Sequence, residues 1–133
     1  MEWKYVKTLK RYKNIDDFEM LVNYKFPDVF RECVVKYNGG RPDKRGFDTN
    51  KQKKRELKSF LSFNQEDRET VWKIFDWNKV NLFGKYVPFA IDNFGNLICF
   101  DVNDSHIIFW NHENNSVEYV AKSFNVFLEQ LFE

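Results

Sequence analysis

The stretch YNGGRPDKRGFD at 37–48 places a glycine pair, Gly39-Gly40, a proline and three basic residues in one short run. Glycine-rich runs cradle phosphate when they lie between a strand and the start of a helix, because unpaired N–H groups then face the anion. Here the order is reversed. An apolar helical pattern (Phe30, Cys33, Val34, Tyr37) runs into Asn38, Gly39 and Gly40, so the glycines follow the carbonyl end of the helix dipole, which disfavours an anion. A glycine just past a helix end adopts the left-handed conformation that closes it at no steric cost. The pair reads as a helix stop, and Pro42 then turns the chain.

The other residues with chemical potential form no constellation. His106 and His112 stand six residues apart, in a strand-like segment and a turn, without Cys or Glu at metal-ligand spacing. No Ser, His and Asp set stands in a nucleophile context. Asp92, Asp101 and Asp104 fall near hairpin connectors that lack the dense oxygen spacing of a calcium loop. Asp92-Asn93 before Phe94-Gly95-Asn96 reads as turn chemistry. Cys33 and Cys99 are isolated in apolar runs and read as reduced core thiols. These residue types predict no catalytic residue, no metal, no cofactor and no small-molecule substrate.

Charge is the more informative signal. Net charge is +1, yet residues 1–60 carry 16 Lys/Arg against 9 Asp/Glu, and residues 61–133 carry 5 against 11. From Asp92 onward seven acids meet one base, Lys122. Such asymmetry can serve a partner, or folding can interleave the halves and mute it. The basic segment 41–58, with RPDKRG and KQKKR near Phe47, is a possible nucleic-acid patch. Against that, the overall pI of about 7.7 falls short of strongly basic duplex-binding domains.

The elements that must position these residues follow from periodicity. Length suits one domain over residues 1–133, and 15 phenylalanines predict an aromatic core. No apolar run approaches a membrane span and the start has no apolar signal core, so the chain reads as cytosolic. Asn14 is expected to cap a helix to Tyr24 with Ile15, Phe18, Leu21 and Val22 inward. Pro27 suits the first position of a second helix. Gly46-Phe47 and Leu57–Phe63 read as strands around an exposed basic tip, and Ser62 or Asn64 is expected to cap a helix over about 65–78. From Tyr86 the period becomes that of strands: YVPFAI, LICFDV, HIIFW and VEYVA, separated by turn residues. Ser123 caps a last helix carrying Phe124, Phe127, Leu128 and Leu131. The order α-α-β-β-α-β-β-β-β-α predicts an α+β fold, an antiparallel sheet of about six strands with helices packed against it.

Four features in this order carry a resemblance. They are Phe26-Pro27 opening the second helix, YNGGRP at 37–42, VPFAIDNFGNLICFDV at 87–102, and IIFWNHE at 107–113 followed by VAKSFNVFLEQL at 120–131. Together they resemble the SUKH superfamily, founded on fungal cell-wall-synthesis regulators of the Smi/Knr type. The fold motif residues are Pro27, Asn38, Gly39, Gly40, Pro42, Pro88 and Gly95. The sequence departs from the pattern in its long basic insert and in Phe26, where leucine is more usual. The resemblance implies a sheet wrapped by helices, no enzymatic activity and, in bacterial members, an immunity protein that binds and blocks a toxin domain, often a nuclease. A nuclease groove attracts phosphate, so its inhibitor needs an acidic face. The expected toxin-binding residues are Asp92, Asp101, Asp104, Glu113 and Glu118, with Trp110 and Tyr119 as aromatic anchors. The alternative is a regulatory or scaffold module that binds nucleic acid through segment 41–58.

Overall fold

The computed structural model describes all of residues 1–133. The chain opens with β1 (Trp3–Lys4), α1 (Lys13–Val22) and α2 (Asp28–Tyr37). Four two-residue strands follow: β2 (Arg41–Pro42), β3 (Gly46–Phe47), β4 (Arg55–Glu56) and β5 (Ser59–Phe60). After α3 (Val71–Leu82) come β6 (Tyr86–Ile91), β7 (Leu97–Asp101), β8 (Ile107–Asn111) and β9 (Ser116–Ala121), and α4 (Phe124–Gln130) ends the series. The fold is α+β. Strands β5 to β9 make one five-stranded antiparallel sheet in chain order, while β1–β2 and β3–β4 form separate two-stranded ribbons. The expected sheet of about six strands is thus five, with the Gly46-Phe47 strand paired in its own ribbon.

The meander forms where short apolar runs, buried at nearly every position in β6 to β8, meet turn residues that tolerate positive φ. Asp92 Oδ1 accepts the N–H groups of Phe94 and Asn96, both at 2.8 Å, and Gly95 takes φ +86°. Asp104 Oδ1 accepts the His106 N–H at 2.9 Å. Pro88 lacks a ladder donor, and the β6–β7 register shifts between Pro88 and Ala90, a bulge that accommodates it.

Thirty-three buried apolar residues form one core cluster between sheet and helices. Phe30 lies at its centre, within 4.7–6.2 Å of the rings of Phe26, Phe63, Phe89, Phe100 and Phe124. Most of these contacts are edge-on or tilted, the arrangement that aligns ring edges with neighbouring faces.

The YNGGRP stretch fastens the chain start to this core. Pro27 precedes α2 as its N-cap and Asn38 follows it as C-cap. Asn38 is buried, and its Nδ2 donates to the Lys7 carbonyl at 2.7 Å and to Ser62 Oγ at 3.0 Å. Its Oδ1 accepts the Phe63 N–H at 2.8 Å. Gly39 has φ +66°, as a helix stop requires. A Cβ on Gly40 would lie 2.9 Å from the Tyr37 carbonyl oxygen and 3.2 Å from both Trp3 and Val6. The second glycine therefore admits the segment carrying β1, whose Trp3 pairs with Pro42.

Three local expectations are corrected. Asn14 does not cap α1; its side chain donates to the Phe63 carbonyl at 3.1 Å, and Leu21 is half exposed. Helix α3 starts six residues later than expected, because Thr70 is its N-cap, accepting the Lys73 N–H. Ser62 and Asn64 are spent elsewhere: both donate to Asp67 Oδ2, and Asn64 also bonds the backbone at Thr8 and Lys10. By contrast Ser123 caps α4 through the Val126 N–H.

Candidate partner-binding surface

Connectors in an antiparallel meander alternate between the two ends of the sheet. Asp92 (in the β6–β7 turn) and Glu113 (in the β8–β9 turn) therefore lie at one end. Asp101 and Asp104, around the β7–β8 turn, lie at the other. Strands of five residues separate the two ends by about 15 Å, so the expected acids do not share one face.

Several expected contact residues face inward, and this corrects their assignment. Asp92 is 7 % exposed, and both its carboxylate oxygens accept bonds within its own turn. Trp110 is 1 % exposed, with Nε1 donating to Asn115 Oδ1 at 2.6 Å; it is core and no surface anchor. Glu118 is taken by the basic insert. Arg55 Nε and Nη2 donate to its two oxygens at 3.0 and 2.9 Å, and Thr49 adds a hydroxyl at 2.6 Å. The Arg55 guanidinium also sits 4.0 Å from the centroid of Phe109, a desolvated cation–π contact. Burial alone would raise the Glu118 carboxyl pKa, but the hydrogen bonds and charge of Arg55, with Thr49 and Lys51, hold it below its ordinary value. The hairpin of β3 and β4 thus folds the basic half onto the acidic half. Tyr119 is exposed on β9, edge-on to His106 at 5.6 Å.

The end of the sheet that carries Asp101 and Asp104 is enlarged by the α1–α2 junction. Tyr24 OH bonds Ser105 Oγ at 2.6 Å, which ties that junction to the β7–β8 turn. Burial raises the Tyr24 phenol pKa, the Ser105 bond lowers it, and the charges of Asp101, Asp104 and Glu19 raise it further. An open groove of about 520 Å³ beside it is lined by Asp16, Glu19, Tyr24 and Asp28 among others. Within it Arg31 pairs with Asp16 and Glu19, each at 2.8 Å. Lys25 also lines this groove. The charges of Asp28, Asp101 and Asp104 stay unmatched by Lys or Arg. Sequence reading missed the helical acids because only the fold brings Asp16, Glu19 and Asp28 toward residues far along the chain.

His106 Nδ1 lies 3.2 Å from Asp104 Oδ2, and His112 Nδ1 lies 3.2 Å from Asn96 Oδ1 at the other end. No three His, Cys, Asp or Glu side chains converge as a metal site. Both cysteines are buried and free. Burial pushes the Cys33 thiol up to about 12, partly offset by Lys36, and burial raises Cys99 well above its ordinary value. No helix is long and apolar enough to cross a membrane.

A search of curated proteins finds no match. The family model SUKH_6, described as SMI1-KNR4 cell-wall, matches residues 12–128, a span from the start of α1 nearly to the end of α4. With that span matched and the α+β architecture in place, the chain belongs to the SUKH (SMI1-KNR4) family.

Proposed function

We propose that this chain is a non-catalytic immunity protein that binds a cognate toxin domain, a nuclease, and neutralises it by direct contact in the cytoplasm. Family membership supports a protein partner. The observation that carries the choice of surface is the Tyr24–Ser105 hydrogen bond, which brings the turn bearing Asp101 and Asp104 beside the groove lined by Asp16, Glu19 and Asp28. A nuclease groove is electropositive, and an acidic surface both speeds its capture and competes for its substrate site. Tyr24 supplies a half-buried aromatic ring at the centre, the residue type that anchors interfaces.

The test is binding to the toxin-like domain encoded by the neighbouring reading frame, with growth rescue on co-expression. Asp101→Lys with Asp104→Lys weakens binding at least about tenfold and abolishes rescue. Glu113→Lys, at the opposite end of the sheet, leaves both unchanged. Rescue that survives the double reversal rejects this surface; failure of the wild-type chain to bind rejects the immunity reading.

A further inference from the structure

A second concave surface lies where the β3–β4 hairpin meets the β9 edge of the sheet; its Tyr119 ring is 5.6 Å from His106, which pairs with Asp104. Its cavity is about 450 Å³ and is lined by Phe47, Tyr119, Val120, Phe127 and Phe132, with Asn50 at the rim. Its accessible apolar surface comes from Tyr119, Val120 and Phe132, with Phe47 and Phe127 packed beneath, and Asp48, Thr49 and Gln130 complete the lining. The rim continues directly into Lys51, Lys53 and Lys54, all exposed. None of the three joins an ion pair. Asp48, the nearest acid in the loop, accepts the Lys54 backbone N–H.

Asn50 occupies the backbone of the sheet edge here. Its N–H donates to the Tyr119 carbonyl and its Oδ1 accepts the Tyr119 N–H, both at 2.9 Å. Addition of a further strand is blocked at this point, leaving side-chain recognition through the cleft and the lysines. Nucleic acid is the weaker fit. Both arginines of the hairpin are engaged, Arg55 with Glu118 and Arg45 with Glu56, so only a short lysine cluster remains. Such a cluster lacks the extended row of cations that tracks a phosphate backbone.

We infer that the cleft and the lysine tip form a docking site for an acidic peptide segment of a protein partner, which seats one aromatic or aliphatic side chain in the cleft and sets flanking carboxylates on Lys51, Lys53 and Lys54. The site is independent of the toxin-binding reading, whose electropositive partner this tip would repel.

The experiment is selection of a random displayed peptide library on the intact protein, counter-selected on a K51E/K53E/K54E variant. The replaced side chains are exposed and unpaired, so the variant folds; circular dichroism checks it. Expected is enrichment of sequences with acids flanking one large apolar residue, and at least about tenfold weaker binding to the variant by fluorescence anisotropy. Changing the apolar residue of an enriched peptide to serine weakens it by a further tenfold or so. Absence of acidic-apolar enrichment, equal retention on the variant, or tighter binding of a single-stranded oligonucleotide than of any enriched peptide overturns the proposal.

Discussion

Asn38 shows how one buried amide holds distant segments together. Its three hydrogen bonds reach Lys7, Ser62 and Phe63, and Asn38→Ala leaves the Phe63 N–H and the Lys7 carbonyl without these partners. We expect a loss of about 2–3 kcal/mol in chemical denaturation. Gly39→Ala must hold a side chain at φ +66°, at about 1–2 kcal/mol. At Glu118 the folded carboxyl pKa lies below the ordinary value. That contribution to stability is present above the unfolded pKa of about 4.3 and is lost as pH falls below it. Glu118→Gln removes this part of the pH dependence and costs about 2 kcal/mol at neutral pH, since Arg55 is left without its counter-charge. Thermal melts from pH 3 to 7 on both proteins check the sign. Cys33 and Cys99 are buried with raised pKa values, so neither reacts with Ellman's reagent until the protein unfolds. The sequence signalled that Asn38 ends a helix; its role as a clamp was hidden because its partners lie 24 to 31 residues away.

Among the elements, those with strong periodicity were legible. Strands β6, β7 and β8 are short continuous apolar runs bounded by turn residues and buried at nearly every position, and α4 carries apolar residues at i, i+3 and i+4 that one helix stripe buries. Strand β1 was invisible, because two residues have no period and Trp3 becomes a strand only when Pro42 comes alongside. The start of α3 was misplaced because Ser62 and Asn64 have capping chemistry but use it across the fold. A test at this scale is Gly46→Ala. Its Cβ would lie 2.6 Å from the Phe132 ring and 2.9 Å from the Phe132 carbonyl oxygen. The bridge between Gly46 and Phe132 must then open. Faster hydrogen exchange at both amides is expected, with β6–β8 unaffected; unchanged exchange at Phe132 would show that the tail does not depend on this glycine.

For the whole molecule, the charge asymmetry of the sequence is partly consumed by folding. The Arg55–Glu118 pair and its Thr49 bond join the two halves, and the alternation of hairpin ends splits the acidic residues into two groups. What remains is an acidic end around Tyr24, a cleft beside a lysine tip, and membership of the SUKH (SMI1-KNR4) family. The parity of the meander could have been counted from the connectors alone, so the separation of Glu113 from Asp101 was legible. The contribution of α1 and α2 was not, because it depends on how the helices lie over the sheet. The most direct test of the immunity reading is the affinity of the neighbouring-frame toxin domain for the wild-type chain, for D101K/D104K and for E113K, by calorimetry. Tight binding is expected for wild type and E113K, and at least about tenfold weaker binding for D101K/D104K. Equal loss in E113K and D101K/D104K, or no loss in either, would contradict it.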